Sequence, residues 1–70
     1  MSVAPDVHLT PRELEVITWM AEGKTASEIG TILSLSEHTV TRHAWTVRLK
    51  LDAVNSIQLI AKAIRGGIIT

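Results

Sequence analysis

Hydrophobic residues recur at helical spacing in four stretches of this chain, and each stretch opens on a capping signal. The first follows Thr10-Pro11-Arg12-Glu13. Threonine as N-cap, proline at the first helical position and glutamate three residues after the cap form a capping box with a favourable N1 residue. Leu14, Val16, Ile17, Met20 and Ala21 then repeat every three to four positions. Gly23 suits the left-handed turn that ends a helix. The pattern predicts a first helix over residues 11–22. Thr25-Ala26-Ser27-Glu28 is a second capping box. Ile29, Ile32 and Leu33 give a short second helix its inward stripe, ending near Leu33. Gly30 lies inside it, where glycine costs up to about 1 kcal/mol against alanine. A close approach of another backbone and plain tolerance both account for it.

Ser36 caps a third helix, predicted over about residues 37–51, with Glu37 in the first turn where the helix dipole favours an anion. Val40, His43, Ala44, Val47 and Leu51 line its apolar face. Asn55-Ser56-Ile57-Gln58 repeats the capping-box logic for a fourth helix that runs to about Arg65 and stops at Gly66-Gly67. Nothing alternates with period two, so no strand is expected. The fold class is all-α: a compact four-helix domain over residues 9–70, with a central helix-turn-helix. Residues 1–8, aperiodic and broken by Pro5, read as a loose N-terminal arm.

Seventy residues leave room for one domain and no deep enzymatic cleft. The absence of cysteine excludes disulfides and thiolate metal sites. His38 and His43 are five residues apart, a poor spacing for a metal pair, so neither a metal nor a cofactor is expected. No nucleophile–base order stands out, and no catalytic residue is assigned. Hydrophobic runs do not exceed three residues, as at Leu59 to Ala61, which is too short for a membrane span or a signal-peptide core.

The formal net charge is zero, yet the charges are sorted along the chain. Residues 1–37 carry a balance of −4 and residues 38–70 a balance of +4. At about 100° per residue, the third helix gathers His38, Thr41, Arg42, Trp45, Arg48 and Leu49 opposite its apolar face. Arginine pairs bidentately with guanine, and a threonine methyl can meet that of thymine. Solvation alone would give such a face too, but a large aromatic ring seldom faces bare water without a partner.

The chain resembles the LuxR-type (LuxR/GerE/NarL) DNA-binding domain. The resemblance rests on Leu9-Thr10-Pro11-Arg12-Glu13, Ala21-Glu22-Gly23-Lys24-Thr25, Glu28-Ile29, Leu35-Ser36-Glu37, Thr39-Val40, His43 and Lys50-Leu51, in that family's order and spacing. The tail Leu51-Asp52-Ala53-Val54-Asn55, then Gln58, Ala61-Lys62-Ala63-Ile64 and Gly67-Ile68-Ile69, is similar to the quorum-sensing branch. The resemblance implies a four-helix domain that binds double-stranded DNA as a dimer in bacterial transcriptional regulation, in the cytoplasm and on the nucleoid. It implies that the third helix enters the major groove. Base contacts then fall on Thr41, Arg42, Trp45 and Thr46. Phosphate contacts fall on Lys24, Thr25, Thr39, Arg48 and Lys50. Along the fourth helix the stripe Ile60, Ala63 and Ile64 can close the core, which leaves Ile57 and Ala61 looking outward; the family joins protomers through this helix, which implies that those two lie in a dimer interface. The family pattern has a large aliphatic at position 44 and a polar residue at 45, where this chain has Ala44 and Trp45. A rival reading keeps the fold and changes the role: a protein-interaction module that pairs with a LuxR-type regulator through the fourth helix and modulates it. Glu15 is a candidate partner for Lys50.

Overall fold

Four helices follow one another in the computed structural model, which describes residues 7–70: α1 (Pro11–Ala21), α2 (Ala26–Leu33), α3 (Glu37–Leu51) and α4 (Ser56–Arg65). Among the described residues there is no strand. The loose arm expected over residues 1–8 falls mostly outside the described residues. Val7 packs against the core, and the His8 carbonyl accepts a hydrogen bond from Lys50 Nζ at 3.1 Å.

The caps do what their residue types dictate. Thr10 Oγ1 accepts from the Glu13 N–H at 3.1 Å, and Glu13 Oε1 accepts from the Thr10 N–H at 2.9 Å. Thr25 and Glu28 repeat this reciprocal pair. Ser36 Oγ accepts from the Thr39 N–H at 3.0 Å. Asn55 caps α4 by accepting from the Gln58 N–H at 2.7 Å. The reciprocal bond expected there is displaced by one residue, because Gln58 Oε1 accepts from Val54 N–H rather than from Asn55. At the C-termini, Gly23 takes φ +88° and Gly67 φ +73°, the left-handed region that only glycine enters without a Cβ penalty.

Two apolar clusters hold the helices together. Val16, Ile29 and Val40 join α1, α2 and α3, with Trp19, Leu33, Leu35 and Ala44 packed against them. Ile17, Val47, Leu51, Leu59, Ala63 and Ile69 join α1, α3, α4 and the C-terminal tail. Val16 and Ile17 are adjacent in sequence and point into different clusters, while Met20 touches both. Each fully buried aliphatic side chain contributes about 1.5–3 kcal/mol.

The phase of α4 differs from the expectation. Leu59 and Ala63 are fully buried, whereas Ile64, expected to close the core, is half-exposed. Ala63 and the partly buried Ile60 close the core as expected, and the helix is turned just far enough that Leu59 joins them in place of Ile64. The tail residue Ile69 supplies the apolar surface that Ile64 was expected to give. On α1, Glu13 is buried and Leu14 half-exposed, so the inward stripe there includes a charge.

Gly30 has a reason. A Cβ at this position would lie 2.6 Å from the Leu35 carbonyl oxygen and 3.4 Å from the Glu37 nitrogen. The turn between α2 and α3 therefore rides directly over this residue. It is held by the Leu35 N–H donating to the Gly30 carbonyl at 2.8 Å and by Ser34 in the left-handed conformation at φ 58°. That closeness fixes α3 against α2.

Candidate nucleic-acid interface

Val40, Val47 and Leu51 bury one side of α3 and leave the other to solvent. The residues directly opposite are His38, Arg42, Trp45 and Leu49, spaced i, i+4, i+7 and i+11, and all are exposed. Thr41 and Arg48 flank this row on one side, and Thr46, Thr39 and Lys50 on the other. Between Glu37 and Asp52 the helix carries no acid. After Glu37 at its first position, the exposed side of α3 thus presents cationic, hydroxyl and apolar groups.

Thr41 and Arg42 are exposed. Thr46 is half-buried, and its hydroxyl donates to the Arg42 carbonyl at 3.0 Å, so it lies on the flank rather than on the outer row. Trp45 remains 52% exposed and does not fold back over the small Ala44. An open groove of about 220 Å³ lies instead beside Thr41, Ala44, Lys24 and Ser56. The Arg48 guanidinium sits over the indole, 4.7 Å from its centroid, and one of its terminal nitrogens donates to the Val54 carbonyl at 2.6 Å. Arg48 Nε is buried and has no hydrogen-bond partner. Arg48 therefore braces Trp45 and the α3–α4 loop, a role that the sequence alone did not reveal.

Lys50 is also committed within the fold. Its ammonium donates to Glu13 Oε1 at 2.7 Å and to the His8 carbonyl. Glu15, the partner considered for Lys50, instead meets Arg12 at 3.6 Å. The difference follows from helical phase, since residue 13 faces α3 and residue 15 faces solvent. Burial of Glu13 pushes its carboxyl pKa up. The bonds from Lys50 and Thr10, with the lysine charge, outweigh burial and leave it below its ordinary value. Lys50 thus ties the chain entering α1 to the end of α3. Lys62 performs a similar task at the end of α3, donating to the Leu51 and Asp52 carbonyls at 3.2 and 2.7 Å.

The remaining expected phosphate contacts sit near the helix starts. Lys24 is exposed in the α1–α2 loop, and Thr25 caps α2. Thr39 is half-buried in the first turn of α3, its hydroxyl oxygen accepting from Ser36 Oγ at 2.8 Å. On α4, Ile57 is 83% exposed and Ala61 half-buried. With the half-exposed Ile64 they form an outward apolar stripe at i, i+4 and i+7, while Ile60 beside them packs against the core. Among the described residues no group of three or more His, Asp or Glu converges, and no helix is long and apolar enough to cross a membrane.

Comparison with known proteins places this architecture. The family model described as "Bacterial regulatory proteins, luxR family" matches residues 7–63. The transcriptional activator protein SolR of Ralstonia solanacearum is 56% identical over 61 residues, which cover 87% of this chain and 26% of SolR. The transcriptional activator protein BjaR1 of Bradyrhizobium diazoefficiens is 49% identical over 65 residues, covering 93% of this chain and 27% of that protein. A crystal structure of Escherichia coli SdiA superposes with a TM-score of 0.85 at 40% identity, covering 96% of this chain and 28% of that one. The chain thus spans about a quarter of the length of these relatives. The family match over most of the sequence, the level of identity and the shared four-helix architecture together show that this chain belongs to the luxR family of bacterial regulatory proteins.

Proposed function

We propose that this chain binds double-stranded DNA sequence-specifically as a dimer and acts in bacterial transcriptional regulation, with α3 in the major groove. The observation that carries the reading is the exposed side of α3, free of acids after Glu37 and fixed directly after a short helix and a tight turn. In a helix-turn-helix the second helix presents its N-terminal half to base edges. His38, Thr41 and Arg42 occupy that half. Arg42 is the group suited to a bidentate contact with guanine. Lys24, Thr25 and Thr39 lie beside helix N-termini, where backbone N–H groups and the dipole favour phosphate. Thr46, Arg48 and Lys50 lie on the flanks of the groove-facing row. In this reading Arg48 and Lys50 meet phosphates with the donors that the fold leaves unused.

The α4 stripe of Ile57, Ala61 and Ile64 supports a two-fold contact between protomers. One short helix buries too little for strong association in solution, since interfaces below about 1,200 Å² are typically transient. DNA adds the second link by effective concentration. SolR and BjaR1 are transcriptional activators by name, which fits a site in the cytoplasm and on the nucleoid. The same stripe favours a second reading, in which α4 pairs with a full-length relative and holds it off DNA. Band shifts on duplexes with one and two half-sites separate the readings. Cooperative binding to the two-site duplex is expected. Absence of binding to every duplex, with co-purification of a relative, would favour the second.

A further inference from the structure

We propose that the second half of α3 reads thymine methyl groups, with Trp45 and Leu49 as the specificity-determining pair. The inference deepens the DNA-binding reading above and rests on it. The outward row of α3 changes character midway. Its first two members, His38 and Arg42, are polar, and its last two, Trp45 and Leu49, are apolar and 52% and 64% exposed. Residues four apart on a helix are neighbours, so the indole and the isobutyl group form one continuous apolar step. The cation beside them is not free to replace them in reading bases. Arg48 is stacked on the indole at 4.7 Å and tied to the Val54 carbonyl, which engages its fork within the protein.

The occupant follows from groove chemistry. Base pairs present donors, acceptors and one apolar group in the major groove, and that group is the C5 methyl of thymine. The indole N–H can only donate, and only once. Leucine offers no polar atom at all. A helix lying in the groove through Thr41 and Arg42 carries Trp45 and Leu49 along the same wall. Among the base edges, their apolar surfaces then have thymine methyls as their matching partners. Thr41, one turn before Trp45, adds a methyl of its own to that row.

The test begins with the duplex that the intact 70-residue chain enriches from a random pool. Each thymine in it is replaced singly by uracil, which removes the methyl and nothing else. Binding is titrated with the wild type, Trp45→Gln and Leu49→Gln, after thermal melts show that both variants fold. One or two thymines per half-site should lose about fourfold in affinity on replacement, the change expected for one buried methyl group. That loss should vanish in one or both variants. Where a thymine is first exchanged for cytosine, 5-methylcytosine should recover part of the affinity. Uracil neutral at every position, or losses that persist undiminished in both variants, would overturn the proposal while leaving DNA binding intact. Failure of the wild type to enrich any duplex would remove the DNA-binding reading and this inference with it.

Discussion

Gly30→Ala sets two physical effects against each other, and the structure decides their sign. Helix propensity alone makes the change favourable by about 1 kcal/mol, because alanine loses less backbone entropy than glycine. The added methyl, however, would sit 2.6 Å from the Leu35 carbonyl oxygen, well inside van der Waals contact. The obstacle is backbone, so no side-chain rotation relieves it. Either α2 and the turn separate by several tenths of an ångström, or the Leu35 N–H to Gly30 carbonyl bond at 2.8 Å is broken. Overpacking of this kind costs about 1–3 kcal/mol, and a backbone clash belongs at the upper end. Net of the propensity gain, a loss of about 2 kcal/mol is expected. For a domain of this size that corresponds to a fall in Tm of about 8–16 °C. Thermal melts followed by circular dichroism measure it directly. DNA affinity, compared at a temperature where both proteins are folded, should also fall, because the turn sets the angle of α3. A variant as stable as the wild type or more so would refute the close-approach argument for this glycine.

Glu13→Gln should destabilise the domain at neutral pH by about 1–3 kcal/mol, the usual cost of removing a charged partner from a partly buried hydrogen-bonded pair. The wild-type carboxyl is held below its ordinary pKa, so its contribution is present at neutral pH and lost as pH falls through the acid range; urea melts from pH 7 to 3 should show Glu13→Gln losing less stability on acidification. Trp45→Ala should melt close to wild type, because the ring is half-exposed and its contact with Arg48 is worth about 1 kcal/mol, yet it should weaken DNA binding. A collapse of that melt would make Trp45 a core residue. Ile57→Asp should leave helical content unchanged, since the side chain is 83% exposed, and abolish cooperative binding to a duplex with two half-sites, as read by band shift.

Helix boundaries were legible because they are written locally. Thr10, Thr25, Ser36 and Asn55 cap through their own side chains within three residues, and Gly23 and Gly67 end helices through their own backbone freedom. The inner face of α3 was legible for a related reason: Val40, Val47 and Leu51 leave only one consistent stripe. The phase of α4 was only partly legible: Ala63 and Ile60 pack on the core as expected, and Ile64 does not. Leu59, Ile60, Ala63 and Ile64 are all apolar, and which pair turns inward depends on where Ile69 of the tail docks, a contact local periodicity does not encode. The partner of Lys50 turned on the same kind of information, because Glu13 and Glu15 lie on different sides of α1. That Glu13 is the N3 residue of a capping box was the available clue, since the box already turns its carboxylate back toward the chain entry. Arg48 looked like a free cation from its place on the exposed face. Its ties to Trp45 and Val54 require the α3–α4 loop to return over the helix, which appears only in three dimensions.

The central claim is that this neutral chain engages DNA through one cationic side, and the salt dependence of its affinity for duplex DNA tests that most directly. Each phosphate neutralised releases counterions and contributes about 0.9 to the slope of log K against log salt. Two protomers that each meet at least two phosphates, through groups such as Lys24 and Arg48, predict a slope of about −3.6 or steeper. Affinity that does not change between low and physiological salt, or no affinity for duplex DNA at either, would contradict the account.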